Sequence, residues 1–194
     1  MNGPDRLPCG ATLLAALLAT PASVAALGDP NRALLATMMV SRTADQGCLP
    51  THLGLGEAAY QQLVAEYFPG YCPGFTDIAP GTHPEPIPEW SDLQKLLLDH
   101  RARQRPSEAW IADVVATACA GHDHLWQDLG LLNREQLSQL MWENFPELAR
   151  SNSGDMKWKK FLYHQFCSRE GITVCRAPSC GECKDYAKCF GPEH

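Results

Sequence analysis

Residues 48–69 read CLPTHLGLGEAAYQQLVAEYFP, and residues 124–146 read HLWQDLGLLNREQLSQLMWENFP. Both hold L-x-x-x-L-G-L followed by a helical pattern that ends in F-P. Tyr60-Gln61-Gln62-Leu63 falls on Leu137-Ser138-Gln139-Leu140. Glu66, Phe68 and Pro69 fall on Glu143, Phe145 and Pro146, with one extra residue after the second L-G-L. Upstream, at an offset of 76 residues, Pro30 falls on Pro106 and Leu35 on Ile111. Each unit therefore reads proline, helix, loop, L-G-L turn, helix, F-P, over 30–69 and again over 106–146. The expected fold is all-α: a helical bundle of two pseudo-symmetric helix–turn–helix units, each covering the face the other cannot bury alone.

The rest of the chain agrees with helix. Asp29-Pro30 opens a helix to about Val40, with Leu34, Leu35, Met38 and Met39 inward. Another starts near Ser91 with a stripe of Leu93, Leu96 and Leu97, and Pro106 opens one carrying Trp110, Ile111, Val114 and Val115. Asn133 with Gln136 three residues on forms a capping box. A last long helix begins near Asp155, buries Trp158, Phe161, Leu162 and Phe166, and stops at Gly171. Six prolines between 69 and 88 make that stretch a linker or surface loop. No alternating run of strand type stands out. The expected domains are an N-terminal extension, helical or flexible, over 1–28, a helical domain over 29–171, and a cysteine-rich tail over 172–194.

The segment ATLLAALLATPASVAALG, residues 11–28, imitates a secretory signal, with an apolar run before small residues. Its leading segment is weak, because Asp5 offsets Arg6. Leu13, Leu14, Leu17 and Leu18 also share a helical face, and Thr20-Pro21 resembles an N-cap followed by proline at N1. The helical reading and a reducing compartment are preferred. No run of about 18 apolar residues occurs, so no membrane span is expected. A net charge of −6 argues against general nucleic-acid binding. Residues 1–154 hold 9 basic and 17 acidic side chains, against 7 and 5 in residues 155–194. A mildly basic end on an acidic body suits an anionic ligand or cluster, although solvated mixed charge gives the same count. A monomer is expected.

Nine cysteines, an odd number, stand at 9, 48, 72, 119, 167, 175, 180, 183 and 189. A chain with 45% hydrophobic residues builds a core without disulfide staples. The last four fall in CRAPSCGECKDYAKC with spacing C-x4-C-x2-C-x5-C. Thiolates are soft ligands that suit iron–sulfur clusters and zinc. Structural zinc commonly uses two short pairs separated by a longer spacer. Four close, unequally spaced thiols in one loop suit the corners of an iron–sulfur cluster better. Cys175, Cys180, Cys183 and Cys189 are thus the expected ligands, and Arg169, Arg176, Lys184 and Lys188 are cations that could offset the cluster charge. Cys167 is a spare candidate, and Cys9, Cys72 and Cys119 are read as non-ligands. Cys48 and His124 occupy equivalent places in the two units, both just ahead of a turn. If the units face each other, those side chains are further metal-ligand candidates. A small buried Cys and a hydrogen-bonded structural His are the plain alternative. G-x-S-x-G, P-loop and H-E-x-x-H patterns are absent. His122-Asp123-His124 lacks a further nearby histidine, so a non-enzymatic carrier is expected.

The four-cysteine spacing, preceded by MKWKKFLYHQFCSREG and followed by FGPE, resembles the C-terminal signature of the NifQ family. GCLP around Cys48, HLWQDLGL from His124 and LLLDHR from Leu96 are similar to that family as well. The resemblance covers about residues 33–193; the first 30 residues and the proline-rich loop contribute nothing to it. It implies a molybdenum carrier that binds a molybdenum–iron–sulfur cluster (Mo-3Fe-4S or 4Fe-4S type). It further implies delivery of molybdenum, acquired as molybdate or from a donor, for synthesis of the nitrogenase iron–molybdenum cofactor. The implied partners are the nitrogenase iron protein and the cofactor-assembly scaffold, and the implied compartment is the cytoplasm. A structural-zinc module, and an iron–sulfur redox sensor or electron carrier, are the alternatives.

Overall fold

A computed structural model describes residues 10–71, 87–169 and 186–191, and every regular element in them is helical. The first unit supplies α3 (Asn31–Thr43) and α4 (Glu57–Tyr67). The second supplies α6 (Ser107–Ala118), the single turn α7 (Leu125–Asp128) and α8 (Arg134–Asn144). Matched positions of the two stretches share backbone angles where their helices start and end. Pro30 and Pro106 precede α3 and α6 with φ of −59° and −60°. Phe68 and Phe145 end α4 and α8 with φ/ψ of −139°/52° and −134°/59°. Leu35, Ile111, Leu53, Leu129, Leu63, Leu140, Phe68 and Phe145 are fully buried in one core.

The two units also meet through matched positions. Gly54, with φ +85°, lies against Thr117, and Gly130, with φ +69°, lies against Ser41. Ser41 Oγ donates to the Gly130 carbonyl at 2.6 Å. Asn31 and Ser107, the first residues of α3 and α6, are joined by a 2.8 Å hydrogen bond across the interface. Asn31 and Asn144 exchange amide hydrogen bonds at 2.6 and 2.7 Å. The Asp29 carboxylate accepts from the Asn31 backbone N–H, the Tyr67 hydroxyl and the Ser107 hydroxyl. Buried polar groups at this junction are therefore paired with one another, as burial requires.

The N-terminal segment is helical: α1 (Gly10–Ala19) and α2 (Val24–Leu27). Arg32 explains how α1 docks on α3. Its buried guanidinium donates to the carbonyls of Leu17, Leu18 and Thr20 at the end of α1, where the helix itself supplies few donors. The apolar stripe is narrower than its sequence suggests: Leu17 is buried, but Leu18 is 36% exposed. Thr20 does not cap the following helix. Its hydroxyl donates backward to the Leu17 carbonyl, and Ser23 caps α2 instead by accepting from Ala26 N–H.

Three further helices complete the described chain before its end. α5 (Trp90–Asp99) lies on α6, held by Trp90 Nε1 to Thr117 Oγ1 at 3.1 Å and Gln94 Nε2 to Asp113 Oδ1 at 2.6 Å. Pro146 closes α8 and at once opens α9 (Pro146–Ser151) from the N1 position, which proline favours. α10 (Trp158–Arg169) rests on α5 and buries Trp158, Phe161 and Leu162. It starts three residues later than expected because Asp155 takes φ +53° in the preceding turn. A five-residue helix, α11 (Tyr186–Phe190), lies in the tail that was expected to be loop throughout. Most of the proline-rich loop, Gly171, and Cys9, Cys72, Cys175, Cys180 and Cys183 lie outside the described residues, as does the side chain of Cys167.

Candidate metal-binding site

The L-G-L turn of the second unit builds the site. Asp128 ends α7 and is buried. Its carbonyl accepts the Cys48 backbone N–H at 2.9 Å, which brings the first unit's Cys48 against the second unit's turn. Its carboxylate accepts the Asp123 N–H at 3.1 Å and forms an ion pair with Lys159 Nζ. Lys159 Nζ also donates to the Gly121 carbonyl at 2.8 Å. Gly121 is required by space: a Cβ there would come within 2.6 Å of Asp128 Oδ2. Gly47 is equally confined, with a Cβ meeting the Asp128 carbonyl at 2.8 Å. These two glycines let the chain close round one carboxylate.

Cys48 is partly buried, with Sγ 3.8 Å from the Ala118 carbonyl. Burial, reinforced by the Asp128 charge, pushes its thiol up to about 12. Cys119, one residue beyond Ala118, is buried and is likewise pushed up to about 12, chiefly by burial. Both are thus neutral thiols at neutral pH, while ligation needs the thiolate. His124 stands at the other end of α7 as its N-cap, in a capping box with Gln127, whose Oε1 accepts the His124 N–H at 3.1 Å. Cys48 and His124 are therefore held at opposite ends of α7, Cys48 by its backbone at Asp128 and His124 as the N-cap. They do not converge with a third ligand: among the described residues no group of three His, Cys, Asp or Glu side chains could hold a metal ion.

Of the four motif cysteines, Cys189 is described. It lies on α11, partly exposed. Its carbonyl accepts the Lys157 backbone N–H at 2.8 Å, and Phe190 lies against Gly154. Lys157 in turn accepts the Phe161 N–H, so Cys189 is tied to the residue that starts α10. The positive end of α10 thus meets the backbone of Cys189, a residue whose thiol is a soft donor. The sequence reading passed over Asp128 and Lys159 as organisers. Their signals were an acid inside the repeated HLWQDLGL turn and a lysine on an otherwise core-forming helix.

The described residues define an all-helical protein in which α11, carrying Cys189, is fastened to the start of α10. The family described as NifQ matches residues 34–191, and the chain belongs to it. It is 42% identical to the protein NifQ of Azotobacter vinelandii over 175 residues, 84% of this chain and 89% of that one. It is 34% identical to the protein NifQ of Rhodobacter capsulatus over 160 residues, 82% and 87% of the two chains. It is 36% identical to a NifQ homolog of Sinorhizobium fredii over 138 residues, 71% and 60%. No solved structure matches. Family membership implies a role in nitrogen fixation. Among the described residues, no helix is long and apolar enough to cross a membrane.

Proposed function

We propose that this protein is a molybdenum carrier, not an enzyme. In this reading it holds molybdenum within an iron–sulfur cluster and delivers it for assembly of the nitrogenase iron–molybdenum cofactor. Cys175, Cys180, Cys183 and Cys189 hold the iron–sulfur part. The cluster is the cargo, and the thiolates supply the soft donors it needs. The observation that carries the reading is the fixing of Cys189 at the start of α10, next to Lys157 and close to the Asp128–Lys159 pair. The protein acts as a monomer in the cytoplasm. It takes molybdenum from molybdate or a donor, and its partners are the nitrogenase iron protein and the cofactor-assembly scaffold. The reciprocal Gly54–Thr117 and Gly130–Ser41 contacts support a core of two units related by a pseudo-twofold axis. In this reading Cys48 and His124 take equivalent places in the two units, and both are partly buried.

Elemental analysis of protein purified without oxygen from molybdate-fed cells tests the proposal. Iron with molybdenum, both lost in Cys→Ser variants of the four motif positions, is the expected result. Zinc alone in protein isolated from its native host overturns it in favour of a structural clamp. Iron with reversible reduction and no molybdenum favours an electron carrier or redox sensor.

A further inference from the structure

The same three contacts that organise the turn also reach the metal-binding end of the chain. Asp128 fixes Cys48 through its carbonyl and Lys159 through its carboxylate. Lys159 is the second residue of α10, and Lys157, immediately before α10, carries the Cys189 carbonyl at 2.8 Å. α10 otherwise meets the core largely through Trp158, Phe161 and Leu162, and apolar packing of this kind is non-directional. The Lys159 contacts to Gly121 and Asp128 are directional, and they link the first turn of α10 to the 121–128 turn. Their burial makes them specific: the Asp128 side chain is 4% exposed and that of Lys159 is 18% exposed. A charge so placed cannot exchange its partner for water without cost.

We propose that the Asp128–Lys159 pair is a positioning element for the metal site. It sets the start of α10 against the Cys48 turn and thereby holds Cys189, the described thiol of the motif, at the Lys157 backbone. Neither residue touches the cargo in this assignment; both act through Lys157 and Cys189. The inference rests on the proposed carrier function only where metal is measured, and its geometric part stands without metal.

The test uses the full chain with Lys159→Met, Asp128→Asn and Lys159→Arg. Leu137→Ala, in the core of α8, serves as a control for general destabilisation. In metal-free, reduced protein, the alkylation rate of Cys189 is followed by peptide mass spectrometry. Lys159→Met and Asp128→Asn are expected to raise it by about threefold or more relative to parent, because the α11 anchor opens more often. Lys159→Arg is expected to restore a near-parental rate by keeping both contacts, and the Leu137 control at equal loss of melting temperature is expected to leave the rate unchanged. Equal rates in parent, Lys159→Met and Asp128→Asn, or an equal rise in the Leu137 control, overturn the proposal. Iron content of anaerobically loaded protein gives the second readout, with a larger loss in the pair variants than in the control. A parent that binds no iron refutes the carrier reading, and the alkylation rates still decide the positioning role. Where Lys159→Met fails to fold, Asp128→Asn carries the same comparison.

Discussion

Gly54 and Gly56 lie two residues apart in one turn, and both have positive φ, +85° and +73°. Gly56 combines φ +73° with ψ 160°, a region open essentially only to glycine, so alanine there costs about 1–3 kcal/mol through the backbone alone. Only Gly54 is also short of space. A Cβ there would meet Thr117 Cβ and Cγ2 at 2.8 Å, whereas nothing lies within 4 Å of a Cβ at Gly56. Thr117 cannot rotate away cheaply. Its hydroxyl donates to the Asp113 carbonyl at 2.8 Å and accepts from Trp90 Nε1 at 3.1 Å. Overpacking of this kind adds about 1–3 kcal/mol. Truncating Thr117 relieves that clash, so Gly54→Ala should cost about 1–3 kcal/mol more in the parent than in Thr117→Ala protein, and these are the two backgrounds to compare. The gain from a stiffer unfolded chain is common to both backgrounds and cancels in the comparison. For a chain of this size, each kcal/mol lowers the melting temperature by about 2–4 °C. Urea denaturation of Gly54→Ala in both backgrounds measures the difference directly. Equal losses, within about 0.5 kcal/mol, would refute the claim that Gly54 is fixed by contact between the two units and leave only its backbone conformation as the reason for glycine.

At pH 8 a thiol whose ionisation is pushed up to about 12 is thiolate in about one molecule in ten thousand, so Cys48 and Cys119 should resist iodoacetamide while Cys189 reacts. Peptide mapping that finds Cys48 modified ahead of Cys189 contradicts this. Burial raises both thiols, so their contribution to stability is present below the ordinary thiol range and is lost as pH climbs from about 8.5 towards 12. Melting temperatures should accordingly fall less between pH 8 and pH 10 in Cys119→Ala than in the parent. His124→Ala should cost about 1 kcal/mol through loss of its capping role. In loaded protein it should lower molybdenum while iron stays; unchanged molybdenum would remove His124 from the site.

The helices were legible because their signals are local. Asn133 accepting from Gln136 N–H at 2.9 Å, the inward Leu93, Leu96 and Leu97, and the proline starts at 30 and 106 all follow from residues within a few positions of each other. Glycines with positive φ stand at 54 and at 130, and a glycine at such a turn leaves a mark in sequence. The short elements were harder to see. α7 has four residues and α11 has five, too few for a period to show. The site was legible in its thiols but not in its organiser. Asp128 and Lys159 are 31 residues apart and become partners only once α10 folds over the turn, so no local pattern announces them.

The equivalence of Cys48 and His124 in the repeat does not make them equal as ligands. Cys48 is held by its backbone at the carbonyl of Asp128, and its thiol shares space with that carboxylate. Metal binding there must remove a proton from a thiol that burial and a nearby negative charge both keep neutral. It must also do so without losing the Lys159 partner on which α10 depends. His124 faces neither obstacle. A neutral imidazole binds metal without giving up a ring proton, and releasing the N-cap costs about 1 kcal/mol. It also stands at the outer end of α7, where its neighbours His122 and Asp123 are exposed. The contacts of Asp128 therefore tie Cys48 to the turn against which α10 starts, and set its role apart from that of His124 at the N-cap of α7.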